Sequence, residues 1–181
     1  YPEFVTRFTE AVDQLVVGDG LEPDVTMGPL NNEAQYRFVH DLLDETRRAG
    51  GEVETLGRVA ANGSDGWFVL PSVVTGLGPG DELVRCEQFG PTVPILSFDD
   101  EQEAVTLAND SEFGLAASVW DEDVDHAFTV AAQIEAGTVF VNVHRVGASD
   151  VAMEFGGFKQ SGLGRGHGWV AVEESTELQV L

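Results

Sequence analysis

The spacing of apolar residues along the chain predicts five helices. Phe4 and Phe8 are four positions apart, and Val39 is followed three and four positions later by Leu42 and Leu43. Such spacings place side chains on one face of an α-helix, and a folded domain buries that face. The predicted helices cover residues 2–16, 32–49, 100–109, 121–135 and 169–175.

Between these helices lie short runs of β-branched and aromatic residues, which are typical of strands. From residue 91 onward strands and helices alternate, and this order indicates βαβ crossovers with parallel pairing. We therefore predict an α/β fold with a mostly parallel twisted sheet, flanking helices and an extended C-terminal tail. The predicted strands cover residues 52–56, 67–74, 83–86, 93–98, 115–120, 138–142 and 176–181.

Glycine and proline mark the connections between these elements. Residues 18–30 are expected to form an irregular connection, and residues 58–66, which contain an Asn-Gly and an Asp-Gly pair, an exposed hairpin turn. The longest connection, residues 143–164, is rich in glycine. Because connections of that length inside compact domains usually carry function, we expect part of a functional site there.

Composition narrows the class of protein. The chain has 181 residues, of which 43% are hydrophobic, and this is enough for one domain with a sizeable core. Its formal net charge of −23 argues against binding to nucleic acid or to anionic membrane surfaces. No apolar run approaches the roughly 18 residues of a membrane-spanning helix. We therefore expect neither nucleic acid nor a membrane as a partner.

Reactive thiols and metal ligands are scarce. The single cysteine, Cys86, excludes an intrachain disulfide and fits a reducing compartment, so we expect a cytoplasmic protein. The four histidines are scattered along the chain, and there is no second cysteine to join them. No metal site is predicted from such a distribution.

One short stretch combines a carboxylate with an aromatic ring. Glu87 and Phe89 stand two residues apart before a Gly90-Pro91 break, and on an extended backbone such residues face the same way. A carboxylate accepts two hydrogen bonds from a vicinal diol, and a neighbouring ring covers the flat group that the diol carries. The pair suits the nicotinamide ribose of a dinucleotide. The alternative, which these residues alone favour, is a strand end with an exposed glutamate and a core phenylalanine.

A second stretch, FGGFKQSGLG at residues 155–164, changes that interpretation. Together with EQFGP at residues 87–91 it resembles the aldehyde dehydrogenase family, which carries E-x-F-G-P and, later, P-F-G-G-x-K-x-S-G. ANDSEFGLAASVW (108–120) and EAGTVFVN (135–142) lie between them in the family's order. The resemblance covers nearly the whole chain but only about the last third of a family member, so we expect the parent protein to begin upstream of Tyr1.

The resemblance implies an enzyme that oxidises an aldehyde to a carboxylic acid with NAD or NADP as cofactor. It implies that Glu87 binds the hydroxyls of the nicotinamide ribose and that Phe89 packs beside the nicotinamide. Leu115 is implied to lie near the same end of the cofactor, and Phe155 to line the aldehyde pocket. The implied mouth of that pocket is formed by Asn142, His144 and Arg145.

The resemblance assigns no catalytic residue to this chain. The family attacks its substrate with a cysteine thiolate in a segment N-terminal to the first helix, whereas Cys86 directly precedes Glu87. The glutamate base and the asparagine that holds the oxyanion are also expected upstream. The isolated chain is therefore expected to be inactive. Glu154 departs from the family pattern, because many members have proline at this position.

The resemblance also divides the chain. Residues 1–165 correspond to the C-terminal portion of the catalytic domain, and residues 166–181 to a helix and a strand of the type through which family members associate. We expect the chain to self-associate through residues 176–181. The alternative function is that of a non-catalytic truncated paralogue, which acts as an assembly or interaction module.

Overall fold

The computed structural model describes residues 1–60, 66–144 and 151–180. The chain divides into two compact units, Tyr1–Ser97 and Phe98–Leu181. Each unit has its own helices and its own paired strands. Among the described residues, no helix has both the length and the apolar character needed to cross a bilayer.

The first unit contains helices α1 (Pro2–Val12), α2 (Glu33–Arg48) and α3 (Glu82–Arg85). Its strands are β1 (Val16–Val17), β2 (Glu52–Thr55), β3 (Arg58–Val59), β4 (Ser72–Thr75) and β5 (Thr92–Pro94). Strand β4 lies at the centre of a three-stranded sheet, antiparallel to β2 and parallel to β5. Strands β1 and β3 form a separate parallel pair.

Helix α2 provides half of the residues in the buried cluster of the first unit. Its N-terminus is capped by Asn32, whose side-chain oxygen accepts a hydrogen bond from the backbone N–H of Gln35 at 2.9 Å. Full burial of an aliphatic side chain stabilises a fold by about 1.5–3 kcal/mol. The buried cluster consists of Val39, Leu42, Leu43, Val69, Val74 and Leu83. Helix α2 is therefore the fixed element against which the connection into β5 is placed.

The second unit contains helices α4 (Glu101–Asn109), α5 (Val124–Ala131) and α6 (Gly168–Glu174). Its strands are β6 (Phe113–Gly114), β7 (Ala116–Val119), β8 (Thr138–Val141) and β9 (Phe158–Lys159). Strands β7 and β8 are parallel and α5 connects them, as the alternating pattern predicts. Strands β6 and β9 are antiparallel. The predicted α/β class is confirmed, with both parallel and antiparallel pairs.

The prediction of a strand over residues 83–86 is wrong, because Glu82–Arg85 form helix α3. Asp81 organises the start of this helix. Its carboxylate accepts a hydrogen bond from the N–H of Gly78 at 2.7 Å, and its carbonyl accepts one from the N–H of Val84 at 3.0 Å. Leu83 is the one buried side chain of the turn, and a single buried position does not distinguish a strand from a helix.

Two of the shortest strands also differ from the predictions. Arg58 and Val59, expected in a hairpin turn, pair with Val16 and Val17, so the first helix ends at Val12 rather than at residue 16. Strand β9 lies within the long connection 143–164. Residues 61–65 of the expected turn lie outside the described residues. Residues 176–180 form no strand within the described chain, and pairing of the tail with another chain stays a prediction.

Candidate functional site

Residues 87–92 form a sharp turn between α3 and β5, which we call the Gln88 corner. The side-chain oxygen of Gln88 accepts a hydrogen bond from the backbone N–H of Gly90 at 2.6 Å, and its side-chain nitrogen donates to the carbonyl of Thr92 at 2.8 Å. The backbone N–H of Thr92 also donates to the carbonyl of Gly90 at 2.9 Å. One side chain therefore closes the turn at both of its ends.

The Gln88 corner is attached to helix α2. The side-chain amide of Gln35, in the first turn of α2, donates a hydrogen bond to the backbone carbonyl of Gln88. One helical turn later, Val39 lies so close that a Cβ at Gly90 would approach its Cγ2 to 2.5 Å. Only glycine allows the corner to lie this near the helix.

Glu87 and Phe89, the predicted cofactor-binding residues of the first unit, are both exposed, and Phe89 is 74% exposed. Phe89 has a φ of 46°, a left-handed conformation that costs a residue with a Cβ about 1–2 kcal/mol. The expectation of an extended backbone is therefore wrong at Phe89. The alternative of a core phenylalanine is also wrong. The corner, rather than strand geometry, leaves the carboxylate and the ring open to solvent.

A cavity of about 400 Å³ borders the Gln88 corner. One wall consists of Phe89, Gly90 and Pro91, and other walls come from Val69 and residues 27–30. These lining residues are mostly apolar, which is typical of sites that accept flat organic groups. The exposed ring of Phe89 thus borders a space that is large enough for a second ring.

The second unit joins three of the motif segments, residues 109–114, 135–138 and 155–161, in what we call the glycine junction. A side chain at Gly137 would overlap the backbone carbonyl of Gly156. A side chain at Gly114 would likewise overlap the carbonyl of Glu135. The three segments therefore approach one another at distances that only glycine permits.

Polar side chains complete the glycine junction. The ammonium of Lys159 donates to the backbone carbonyl of Asn109 at 2.7 Å and pairs with the carboxylate of Glu135 at 2.8 Å. The side-chain oxygen of Asn109 accepts from the N–H of Glu135 at 2.8 Å. The hydroxyl of Ser161 accepts from the N–H of Gly114 at 3.0 Å. These motif side chains bind one another and the backbone, and so hold the unit together.

Phe155, predicted to line the aldehyde pocket, is half-buried and fixed through its backbone. Its N–H and carbonyl exchange two hydrogen bonds with Gly166, each 2.7 Å long, and its ring centroid lies 6.0 Å from that of His167. These two hydrogen bonds hold the backbone next to Glu154, the position at which many family members have proline. Leu115 lies between β6 and β7 and is 42% exposed.

Asn142 and His144, predicted at the mouth of the pocket, both have contacts inside the second unit. The side-chain amide of Asn142 accepts from the N–H of Asp121 at 2.9 Å and donates to the carbonyl of Asp121 at 2.8 Å. The ring of His144 meets the ring of Phe140 edge-on, with 5.8 Å between the centroids. Arg145 lies outside the described residues. The part of these residues in a substrate pocket stays a prediction.

His126 links two carboxylates on the surface of the second unit. Its Nδ1 lies 2.9 Å from Asp121 and its Nε2 lies 2.7 Å from Glu101. Hydrogen bonds to Asp121 and Glu101 raise the pKa of His126 above its ordinary value. Hydrogen bonds from the backbone of Asp123 and from His126 lower the pKa of Asp121. Sequence reasoning missed this group, because its members come from separate elements.

The thiol of Cys86 is not activated. Burial raises its pKa above the ordinary value of 9.0, and the nearby carboxylates of Glu82 and Glu87 raise it further. Because the thiolate is the reactive form of cysteine, the raised pKa makes this thiol less reactive near neutral pH. The residues that the structure describes also include no group of three or more side chains able to hold a metal ion.

The structure distributes the predicted site residues over both units. Glu87 and Phe89 come together at the Gln88 corner of the first unit, and the described others belong to the second. Sequence reasoning missed Gln88 and Gln35, whose amides shape the corner. The available signal was a polar side chain two residues before glycine, since a glutamine has both the donor and the acceptor that closing a turn requires.

The whole chain, residues 1–181, matches the aldehyde dehydrogenase family. It is 39% identical over 176 residues to a betaine aldehyde dehydrogenase from Cereibacter sphaeroides, a match that covers 97% of this chain and 36% of that protein. It is 36% identical to aldehyde dehydrogenase, cytosolic 2, from Macroscelides proboscideus, covering 100% of this chain and 74% of that protein. A solved NAD+ complex of an aldehyde dehydrogenase from Bacillus cereus has a TM-score of 0.89 at 34% identity, covering 98% of this chain and 35% of that one.

Proposed function

This chain belongs to the aldehyde dehydrogenase family, and we propose that its parent protein oxidises an aldehyde to a carboxylic acid with NAD or NADP. The proposal reaches beyond the chain, which spans 36% of the curated betaine aldehyde dehydrogenase. A solved relative that binds NAD+ supports the class of cofactor. Residues 1–165 then form the C-terminal portion of the catalytic domain, and residues 166–181 an associating helix and tail.

The observation that carries this proposal is the pair of exposed side chains, Glu87 and Phe89, on the Gln88 corner. A carboxylate that is open to solvent has lone pairs available for the two hydroxyls of a ribose. An aromatic ring that is 74% exposed has a face available for a flat heterocycle. The residues present therefore fit the nicotinamide end of a dinucleotide.

A bound NAD or NADP would supply the nicotinamide ring as the hydride acceptor. In this proposal Glu87 accepts hydrogen bonds from the ribose hydroxyls and so fixes the position of the ring that the ribose carries. Phe89 covers the ring and keeps water from it. Leu115 is proposed for the same end of the cofactor from the family resemblance, and its 42% exposure leaves it able to make such a contact.

On the substrate side, we propose that Phe155 lines the aldehyde pocket. Its two backbone bonds to Gly166 support this role, because a pocket wall must keep its position when substrate binds. Asn142, His144 and Arg145 are proposed for the mouth of the pocket. No residue of this chain is assigned to the chemical step, and the raised pKa of the Cys86 thiol supports that assignment.

Association and location are further parts of the proposal. Leu178 and Val180 are 98% and 97% exposed and stand two residues apart, as the apolar side of a strand that pairs with another chain would. We propose that the protein self-associates through this tail. The single cysteine supports a reducing compartment such as the cytoplasm.

The substitution Glu87→Gln in the parent protein tests the proposed function. It preserves shape but removes a charge-assisted hydrogen bond that is worth about 1.5–3 kcal/mol. We expect the Kd for NADH, measured by titrating the fluorescence of the reduced nicotinamide, to rise about tenfold to a hundredfold with an unchanged melting temperature. Glu10→Gln, an exposed position on α1, is the matched control. An unchanged Kd would contradict the assignment of Glu87, and a parent protein that binds no NADH would favour the non-catalytic module.

A further inference from the structure

We propose that Gln88 is a positioning residue for the cofactor, and that it acts through Glu87 and Phe89 rather than by touching the cofactor itself. This inference rests on the proposed function. Gln88 stands between the two proposed contact residues, and its own side chain is turned back onto the chain, where it bonds to Gly90 and Thr92.

The hydrogen bonds of Gln88 require an amide. Its oxygen meets a donor, the N–H of Gly90, at 2.6 Å, while its nitrogen meets an acceptor, the carbonyl of Thr92, at 2.8 Å. A glutamate would keep the first bond but bring an oxygen against the carbonyl of Thr92. A leucine would fill similar space and make neither bond.

These bonds fix the conformation of the residues on either side. Phe89 has a left-handed φ of 46°, and such a conformation persists only where the surrounding structure holds it. The bond from Gln88 to Gly90 spans Phe89 directly, and the bond to Thr92 closes the remainder of the turn. Without them Phe89 is free to relax toward negative φ, which redirects its ring.

Helix α2 provides the reference for this positioning. The amide of Gln35 holds the carbonyl of Gln88, and Val39, on the same face one turn later, packs against Gly90. Because Val39 is fully buried in the core, the corner is tied to a rigid part of the unit. A displacement of about 1 Å at a contact residue is enough to reduce rates about a hundredfold, so a residue that prevents it has a measurable function.

The test is a double-mutant cycle in the parent protein, with the Kd for NADH as the readout. The variants are Glu87→Gln, Gln88→Leu and the double substitution, and Gln14→Leu, an exposed glutamine of the first unit, is the control. We expect Gln88→Leu to raise the Kd about tenfold in the wild-type background and by a smaller factor in the Glu87→Gln background, because one of the two contacts that Gln88 supports is already lost there.

The variant Gln88→Glu distinguishes an effect on the position of Glu87 and Phe89 from an effect on folding. We expect it to fold, since it keeps the hydrogen bond to Gly90, and to bind NADH less tightly by about threefold or more, since an oxygen then faces the carbonyl of Thr92. Gln88→Leu with an unchanged Kd would overturn the inference while leaving the proposed function intact if Glu87→Gln still weakens binding. Fully additive effects in the cycle would also overturn it. A Glu87→Gln variant that binds NADH normally would overturn both.

Discussion

The Gln88 corner and the glycine junction are both built from short motifs that contain glycine, but they use their side chains differently. At the corner, hydrogen bonds are made by Gln88, while Glu87 and Phe89 remain open to solvent. At the junction, Lys159 and Asn109 are bound within the unit. Both regions contain motifs of the family, and at the corner the motif side chains Glu87 and Phe89 make none of the hydrogen bonds that close the turn.

This comparison shows that glycine occurs in the two motifs for different structural reasons. At the glycine junction, three segments that are distant in sequence approach too closely for any side chain larger than hydrogen. At the corner, a single glycine lets a turn lie against a helix, and the turn presents other residues. We therefore attribute the stability of the second unit to the junction, whereas the proposed function assigns contact with the cofactor to the corner.

The largest effect is expected for Gly137→Ala. The new Cβ would overlap the backbone carbonyl of Gly156, and backbone cannot move aside as the end of a flexible side chain can. We expect a loss of about 4 kcal/mol or more in the free energy of unfolding, the range of severe overpacking. Urea denaturation measures it. Gly20→Ala, where nothing lies within 4 Å of the added Cβ, is the control and should change stability by no more than about 0.5 kcal/mol. Equal stability of the two variants would contradict the account of the junction.

Lys159→Met should have the next largest effect on stability. The substitution keeps the aliphatic stem but removes the bonds to the Asn109 carbonyl and the Glu135 carboxylate. Hydrogen bonds to charged groups contribute about 1.5–3 kcal/mol when shielded, and the partial exposure of Lys159 reduces this to about 1–2 kcal/mol. Arg7→Met, which removes an exposed ion pair with Glu3, is the control and should cost less than about 1 kcal/mol.

Sequence patterns predicted the helices whose first residues are determined by hydrogen bonds to nearby capping side chains. Helices α2 and α4 begin where expected because the side chains of Asn32 and Asp100 accept hydrogen bonds from backbone N–H groups three residues on. Strand β9 was not predicted, because its two residues are strand only through pairing with Phe113 and Gly114, more than 40 positions earlier. Patterns of apolar spacing contain no information on such a pairing.

The same distinction applies to the candidate site. The E-x-F-G-P motif led to Glu87 and Phe89 from the sequence, and both proved to be exposed. The reason for their exposure was not predictable, since it depends on the left-handed φ of Phe89 and on the two bonds of the Gln88 amide. The periodicity of apolar residues predicts which face of a helix or strand a residue occupies. It does not apply to the Gln88 corner, which is a turn.

A smaller effect is expected from pH through His126 in the second unit. Folding raises the pKa of His126, so the stabilisation is fully present below its unfolded value of about 6.5 and is lost as pH rises through the higher folded value. We expect the melting temperature of the wild type to fall relative to that of His126→Gln as pH rises from 6 through neutrality. The effect is small because the group is exposed. A constant difference between the two proteins over this range would contradict it.

Asp121 gives the opposite pH dependence. Its pKa is lowered on folding, so its stabilisation is present above the ordinary value of 3.8 and is lost as pH falls through the lower folded value. The wild type should therefore lose its advantage over Asp121→Asn in acid. Melting temperatures measured between pH 5 and 2 test this. A constant difference in melting temperature between the two proteins over this range would contradict a stabilising contact between Asp121 and His126.

The different roles of the corner and the junction are tested most directly by comparing Phe89→Ala with Lys159→Met in the parent protein, with the melting temperature and the Kd for NADH measured for both. Phe89 is 74% exposed, so its loss should leave the melting temperature within about 2 °C while weakening NADH binding about tenfold. Lys159→Met should lower the melting temperature by about 4 °C and leave the Kd unchanged below the transition. If Phe89→Ala instead lowered the melting temperature and left NADH binding intact, the corner would be structural and the division of roles would be contradicted.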